Sequence, residues 1–365
     1  MKNKDKEKRS GWSIFWCIVR RFFLLVFTVV IIAVVGLALV CNLIFNGPSP
    51  NARDRLTMSM RESSGMKWFP AIFLGEEKVA EIEKAVEATL PAEVSDNTQI
   101  TIDLDGFVAG ADEWEKYPDG IRLEQVKGDT YNAFVMIIRD PARVYQATST
   151  AHFSHDIPGL RITQAIEKEG AVAAINAGAF YDDGTANSIV GSTPAGLVLA
   201  GGEVVYNADH NRVPEKGFVG FTKDNVLIVA QSMTATKALE MGIRDGCEFG
   251  PVLVMNGIVN EEAYNGNSGL NPRTAIGQRA DGAVIFVCIE GRQASSLGAT
   301  YADLIDIMIE YGAVNACNLD GGSSTVMMYR DPVTGEAYMV NNYSLLQSEP
   351  RRMPTFFMVR PVKED

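Results

Sequence analysis

The amino-acid sequence predicts an α+β fold, in which a mixed or antiparallel β-sheet core carries a few helices and follows one N-terminal transmembrane helix. The first observation is an uncharged, mostly apolar run of 24 residues near the N-terminus. The second is that short strand-like runs bounded by turn residues dominate from about residue 120 onward. The third is that two or three segments show helical spacing, residues 301–311 most clearly. No internal repeat interrupts this pattern, which is typical of one α+β domain.

The apolar run from Phe22 to Phe45 is long enough for a membrane span, because a helix rises about 1.5 Å per residue and the hydrocarbon core is about 30 Å thick. Seven basic residues lie within residues 1–21. The positive-inside rule then predicts a single-pass cell-membrane protein with a cytoplasmic N-terminus and an extracytoplasmic C-terminal part. A cleaved signal peptide is the alternative, but its apolar region is shorter and ends at a small-x-small site. A lipoprotein cysteine at Cys41 is disfavoured because the preceding Val40 is not small.

Charge and cysteine content narrow the class of protein. Beyond residue 21 the chain has 26 basic and 43 acidic residues, which argues against a nucleic-acid partner and suits a domain at a cell surface. Cys17 and Cys41 lie beside or in the membrane segment, and three cysteines remain, namely Cys247, Cys288 and Cys317. An odd, small number favours buried free thiols over disulfides. Together with the Lys-rich leader, this composition suggests a bacterial surface protein.

The chain divides into four predicted segments. The polar residues 47–70 are interpreted as a linker, the acidic and amphipathic run from Glu76 to Leu90 as a helix, and residues 91–110 as a loop or lid. The segments are a basic cytoplasmic segment (1–21), a transmembrane helix (22–45), a linker with an N-terminal helical extension (46–119) and the main domain (120–362).

Polar chemistry is concentrated where apolar strands end. The run C-N-L-D-G-G-S-S-T (317–325) places a carboxylate, Asp320, beside two glycines and three hydroxyl residues, between two strand-like runs. Glycines let backbone N–H groups approach a ligand oxygen, so this turn is a candidate binding loop, although a capped β-turn has the same composition. Three further strands are predicted to end or begin at Asn176, Arg273 and Glu290. If these ends meet, they form a concave polar site with one cation and two carboxylates.

A pair of histidines, His152 and His155, lies beside Asp156. Their spacing could hold a metal ion on a helix, but Pro158 and Gly159 follow closely and favour a loop. We therefore expect no resident cofactor, with a divalent metal as the alternative.

The runs A-A-I-N-A-G-A-F, N-P-R-T-A-I-G and N-L-D-G-G-S-S-T, with the helix at 301–311, resemble in order the phosphodiester glycosidase family, whose domains are like N-acetylglucosamine-1-phosphodiester alpha-N-acetylglucosaminidase. The resemblance covers roughly residues 120–362. Residues 57–90 also resemble the extension of membrane-anchored Gram-positive members labelled as exopolysaccharide biosynthesis proteins. The resemblance implies hydrolysis of the bond between a sugar's anomeric carbon and a phosphodiester oxygen.

This chemistry needs a carboxylate near the anomeric carbon and charge stabilisation at the phosphate. The predicted catalytic residues are Asp320, Glu290 and Arg273. The predicted substrate-binding residues are Asn176, Gly178, Thr274, Gly321, Gly322, Ser323 and Ser324. The expected partners are a sugar-phosphate glycopolymer or glycan phosphodiester and the membrane. The alternatives are a non-catalytic polysaccharide- or wall-binding module and a metal-dependent phosphodiesterase.

Overall fold

The computed structural model describes residues 11–61, 65–84, 93–102, 114–181, 191–207, 217–266, 268–343 and 349–362. These parts contain eight α-helices and seventeen strands, and every pairing between the strands is antiparallel. The α+β class is confirmed, with antiparallel sheets. The helices are α1 (Gly11–Asn46), α2 (Pro50–Arg61), α3 (Phe69–Leu74), α4 (Glu76–Lys84), α5 (Ile162–Glu169), α6 (Ala235–Glu240), α7 (Glu261–Asn265) and α8 (Tyr301–Glu310).

Helix α1 contains the predicted apolar run and extends beyond it at the N-terminal end. Its part from Phe15 to Asn46 is long and apolar enough to cross a membrane, and its side chains are almost all exposed. The exception is its C-terminal end, where Phe45 is buried against α3. The sequence and the structure thus agree on one apolar helix of membrane-spanning length near the N-terminus.

The segment after α1 is more ordered than predicted. Residues 50–61 lie within the expected linker but form helix α2, and α3 follows at Phe69–Leu74. Helix α4 covers the first nine residues of the predicted helix at 76–90, while 85–90 lie outside the described residues. Part of the predicted loop or lid at 91–110 is also outside them. In the described part, Val94 bridges to the third sheet.

The first sheet has seven strands in the order β1-β2-β13-β12-β14-β10-β11. One face packs against α7 and α8, and the other faces the two smaller sheets across a shared apolar core. Apolar β-branched and aromatic residues are buried on both faces, as a central sheet requires. Its strands are β1 (Ile121–Lys127), β2 (Asn132–Ile138), β10 (Val252–Met255), β11 (Ile258–Val259), β12 (Arg273–Arg279), β13 (Val284–Ile289) and β14 (Ala313–Leu319).

The two smaller sheets each have five strands. The second sheet has the order β16-β15-β4-β17-β3 and packs its outer face against α5. The third has the order β6-β5-β9-β7-β8 and packs its outer face against α6. The strands of the second sheet are β3 (Val144–Thr148), β4 (Ala173–Asn176), β15 (Met327–Arg330), β16 (Ala337–Met339) and β17 (Thr355–Val359). The strands of the third sheet are β5 (Val198–Ala200), β6 (Glu203–Tyr206), β7 (Phe218–Thr222), β8 (Leu227–Ala230) and β9 (Ile243–Glu248).

The three cysteines of this region are free and fully buried, as predicted. Burial in apolar surroundings raises the pKa of the Cys247, Cys288 and Cys317 thiols, so they remain protonated and unreactive at neutral pH. They therefore serve as small apolar core residues, and we assign them no chemistry.

Candidate functional site

Three strands of the first sheet meet at one edge, as the sequence predicts. β12 lies between β13 and β14, and its first residues pair with their last: Arg273 with Ile289, and Thr274 with Leu319. Glu290 and Asp320 follow those last residues directly. The two carboxylates therefore follow the two strands that flank β12, at the same edge.

Asn176, at the end of β4, joins the second sheet to this edge. Its side-chain nitrogen donates to the carbonyl oxygen of Asp320 (2.6 Å), and its oxygen accepts from the Thr274 hydroxyl (2.8 Å) and the Val326 amide (3.2 Å). Asn176 is 1% exposed. Because these bonds use its donor and its acceptor within the protein, Asn176 and Thr274 hold the turn in place from beneath.

The turn after β14 is fixed by backbone hydrogen bonds. The amide of Asp320 donates to the carbonyl of Ala177 (3.1 Å), and the amide of Gly322 donates to the carbonyl of Pro272 (2.9 Å). Gly322 has φ +61°, a left-handed conformation that favours glycine, and it begins a single 3₁₀ turn, Gly322–Ser324. Asp320, Gly321, Gly322 and Ser323 are partly exposed, so one side of the turn is open to a ligand.

Two guanidinium groups flank this turn, and the sequence analysis assigned neither. Arg292 lies against Gly322: a Cβ built there would be 3.3 Å from both of its terminal nitrogens. Arg292 also donates to Asn271 (3.0 Å). On the other side, Arg351 donates to the Ser323 hydroxyl (3.2 Å) and stacks on the Phe180 ring at 4.7 Å. The turn is therefore bracketed by two positive charges.

Arg273, the predicted cation, does not point to this turn. It is 3% exposed, donates to the carbonyls of Ala299 (3.2 Å) and Gly269 (2.8 Å), and stacks on Tyr301 of α8 at 4.1 Å. Successive strand residues face opposite sides of a sheet, so Arg273 lies on the α8 side while Thr274 faces Asn176. Here Arg273 ties the start of β12 to the loop and helix behind it.

Glu290 lies at the predicted edge but is 2% exposed. Its carboxylate accepts from the Asn342 amide (2.6 Å) and from the Asn132 side chain (3.3 Å). Its carbonyl accepts from the Ser296 hydroxyl (2.8 Å). These hydrogen bonds satisfy the buried carboxylate, so the geometry indicates a structural role for Glu290 at the rim of the site.

A third carboxylate, Glu248, ends β9 and was not predicted. It accepts from the Leu197 amide (3.1 Å), and its carbonyl accepts from the Ala179 amide (3.4 Å). Gly178 packs directly on this strand end, since a Cβ there would be 2.9 Å from the Cys247 Cβ. Glu248 and Asp320 therefore flank the two sides of residues 177–179. The pattern that identified Glu290, an acid at the end of an apolar strand, does not find Glu248, because its strand includes Arg244 and Asp245.

Hydroxyl groups surround the base of the turn. Tyr343 donates to the Ser323 carbonyl, and its oxygen accepts from the Arg351 amide (3.1 Å). Burial raises the pKa of Tyr343; the Arg351 amide and charge act against this shift, and the negative charge of Asp320 reinforces it. Tyr343 is thus a neutral donor at physiological pH. The Ser324 and Thr325 hydroxyls are buried without a hydrogen-bond partner among the described residues.

The His152–Asp156 segment is a loop, as expected. His155 is exposed and lies 6.3 Å from the Tyr181 ring, centroid to centroid. In the described parts of the chain, no three His, Cys, Asp or Glu side chains are grouped to hold a metal ion. Asp182 and Asp183, beside Tyr181, lie outside the described residues.

A cavity of about 560 Å³ lies at the opposite end of the first sheet. Four of its charged groups form two ion pairs, Arg279 with Asp281 (2.6 Å) and Arg122 with Glu124 (2.9 Å), and Tyr311 donates to Glu124 (2.7 Å). It contains none of the predicted site residues.

Comparison with known proteins identifies the family of the chain. The model of the phosphodiester glycosidase family matches residues 169–360, more than half of the chain, and this span contains every predicted site residue together with Glu248, Arg292 and Arg351. A 90-residue stretch is 34% identical to the SPbeta prophage-derived uncharacterized protein YomE of Bacillus subtilis (strain 168). That stretch covers 24% of this chain and only 14% of YomE.

Solved structures show the fold. The catalytic domain of zebrafish N-acetylglucosamine-1-phosphodiester alpha-N-acetylglucosaminidase, auto-inhibited by its pro-peptide, superposes with a TM-score of 0.50 at 18% identity, over 66% of this chain and 82% of that chain. A hypothetical protein from Synechocystis has a TM-score of 0.42 at 16% identity, over 66% of this chain and 62% of that one. At 18% identity the likeness to the zebrafish domain is one of fold.

Proposed function

The chain belongs to the phosphodiester glycosidase family, and from this premise we propose that it hydrolyses the bond between the anomeric carbon of a sugar and a phosphodiester oxygen. The observation that carries the proposal is the partly exposed Asp320 in a turn bracketed by Arg292 and Arg351. A sugar 1-phosphodiester has the complementary arrangement, because an anionic phosphate adjoins a carbon that becomes positive in the transition state.

The two arginines are suited to the phosphate. A phosphodiester leaving group carries a negative charge and needs little protonation, so stabilising its charge matters more than donating a proton. Guanidinium groups bind phosphate oxygens through paired N–H donors. We assign this role to Arg292 and Arg351 in place of Arg273, whose guanidinium is engaged by two carbonyls and the Tyr301 ring on the far side of β12.

Asp320 is the leading catalytic carboxylate. It stabilises the oxocarbenium-like carbon directly or activates the attacking water, and the retaining or inverting outcome follows from its separation from the second carboxylate. Glu248 is better suited to be that second group than the buried Glu290, since it is partly exposed and flanks the same three residues as Asp320. Gly321, Gly322 and Ser323 supply the surface that contacts the sugar phosphate, while the buried Ser324 lies beneath it.

The proposed setting is the outer face of a cell membrane, with a cell-surface or cell-wall glycopolymer as substrate and a role in exopolysaccharide biosynthesis. Support comes from the packing of α1. Phe45 is 1% exposed because Phe69 and Phe73 cover it. Cleavage of α1 as a signal peptide would uncover these rings. We therefore propose that α1 is retained as an anchor, with the acidic domain outside.

The test is turnover by the purified full chain in detergent. A panel of sugar 1-phosphodiesters is incubated in water labelled with oxygen-18, and the released sugar and phosphate are analysed by mass spectrometry. The proposal expects the label on the sugar, because the C–O bond breaks. Label on the phosphate, with activity lost in chelator, would instead identify a metal-dependent phosphodiesterase. Binding of the panel without turnover would identify a carbohydrate-binding module.

A further inference from the structure

The end of the apolar helix is built into the rest of the protein. Phe45 of α1 stacks on Phe73 of α3, with ring centroids 5.0 Å apart and planes 13° from parallel. Helix α1 also contacts α2, and α4 contacts α2 and α3 while burying Val79 and Ile82. Helices α2–α4, here called the collar, therefore continue α1 as packed structure.

The collar reaches the segment that carries the candidate site. In α2, the Ser59 hydroxyl donates to the Leu270 carbonyl (3.1 Å), and a Cβ on Gly269 would lie only 2.2 Å from the Ser59 nitrogen. The neighbouring Asn271 accepts from Arg292, which lies against the Gly322 turn. An uninterrupted chain of contacts thus connects the end of α1 to the proposed phosphate-binding arginine.

The connection is short. From Asn46 to Pro50 the chain can extend at most about 14 Å, and from Pro50 to Ser59 the helix rises about 14 Å. Ser59 therefore lies no more than roughly 30 Å from the end of α1, a distance comparable to the thickness of one hydrocarbon core, and it contacts the segment that accepts from Arg292.

Helix α3 presents an apolar face that nothing in the described structure covers. Trp68 is 59% exposed and Ile72 is 61% exposed, and both lie beside the buried end of α1. Tryptophan at the end of a membrane-spanning helix is typical of the headgroup region, because its ring is apolar and its N–H seeks a polar partner. Because α3 packs on the end of α1 through Phe69 and Phe73, the bilayer that α1 would span is the surface suited to cover this face.

We propose that the collar holds the candidate site against the membrane surface, with Trp68 and Ile72 in the headgroup region, and that the substrate is a lipid-borne sugar 1-phosphodiester. The proposal rests on the proposed function and narrows its substrate class. A lipid-borne substrate is confined to the thin layer at the membrane surface that also contains the site, so its effective concentration near the site is raised. The anchor does not raise the local concentration of a soluble ester.

The experiment uses the full chain reconstituted in phosphatidylcholine–phosphatidylglycerol vesicles. Two substrates carry the same sugar 1-phosphodiester, one on a lipid tail in the same vesicles and one on a short soluble alcohol, at equal total concentration. We expect cleavage of the lipid-borne ester to be about tenfold faster or more. The double variant Trp68→Ser and Ile72→Ser should reduce the ratio of lipid-borne to soluble cleavage rates severalfold. Val333→Ser, at a site 91% exposed on the main domain, should leave this ratio unchanged.

A second readout is independent of turnover. In a background with Trp12→Phe and Trp16→Phe, lipids brominated near the headgroup should quench Trp68, and Trp68→Phe should remove that quenching. Equal cleavage of both esters would overturn the substrate proposal, and absence of quenching would overturn the membrane contact. If neither ester is cleaved, the proposed function fails, while the quenching still decides whether the collar meets the bilayer.

Discussion

The two ends of the seven-stranded sheet carry polar groups in different arrangements. At one end Asp320 stands partly exposed in a glycine turn held by Asn176, with Arg292 and Arg351 on either side. At the other end a cavity of about 560 Å³ is lined by two ion pairs, Arg279 with Asp281 and Arg122 with Glu124. The volume of a cavity therefore does not by itself make it the better candidate site. A site is indicated instead by a carboxylate and nearby cations that the fold positions where a ligand can reach them.

The largest expected effect is on turnover. Asp320→Asn removes the leading carboxylate but keeps its size, so we expect the rate of sugar release to fall about a thousandfold, in the range found for essential acid–base or nucleophilic groups. The melting temperature should change little. The matched control is Asp281→Asn at the other end of the sheet, which should retain full activity. Equal activity of the two variants would remove Asp320 from the mechanism.

The two arginines extend the comparison to the phosphate. Arg292→Ala should slow turnover about 10- to 100-fold, since one charge-assisted contact to the leaving group contributes about 1.5–3 kcal/mol. Arg279→Ala is the control, because its guanidinium pairs with Asp281 far from the turn. Steady-state kinetics on one soluble sugar 1-phosphodiester give the turnover rates of both variants. An unchanged rate for Arg292→Ala would transfer the phosphate role to Arg351 or return it to Arg273.

Much of this fold could be predicted from sequence, since its signals are local. Apolar runs of four to seven residues and the helical spacing at 301–311 identify most strands and α8, and the ordered motifs predict that Thr274, Asn176 and Asp320 meet. Helix α2 was missed because the run from Pro50 to Arg61 has few apolar residues, and its order comes from packing on α1 and α4.

The side-chain roles were harder to predict than the strand ends. Pro272 makes the start of β12 recognisable, but it does not decide which face Arg273 occupies. The alternation of side chains along the strand decides the face. It places Arg273 with Ala275 on the face toward α8, and Thr274 with Ile276 on the opposite face. Arg351 was missed because it reaches the turn from a loop that shares no motif with β14.

Stability should distinguish the two ends as well. In Glu290→Gln, an amide nitrogen replaces one of the two oxygens that accept from the Asn342 amide and the Asn132 side chain, so one of these hydrogen bonds becomes a donor–donor contact. We expect a loss of about 1–3 kcal/mol in the free energy of unfolding. Glu124→Gln at the cavity end is the control, because its side chain is 39% exposed and water can replace lost partners. Chemical denaturation compares them. An undiminished stability with abolished turnover would favour a catalytic Glu290.

The smallest effect should come from the turn itself. Gly322→Ala introduces a Cβ at φ +61° and 3.3 Å from the Arg292 guanidinium. We expect a cost of about 1 kcal/mol in stability and a severalfold loss of turnover, as the arginine is displaced. Gly335→Ala, at φ +72° with open space around it, measures the cost of a positive φ for alanine without any contact to an arginine. If both variants lose turnover equally, Arg292 is not the cause.

The stack of Phe45 on Phe73 has a practical consequence for preparing the protein. A fragment that begins just after the apolar helix would leave Phe69 and Phe73 without their cover and invite aggregation through an exposed aromatic patch. In the described residues from Asn46 to the end of α4, each helix packs on another, so a cut between them would separate packed helices. Crystallisation and enzymology are therefore best begun with the whole chain in detergent, or with a fragment that dispenses with the first four helices together.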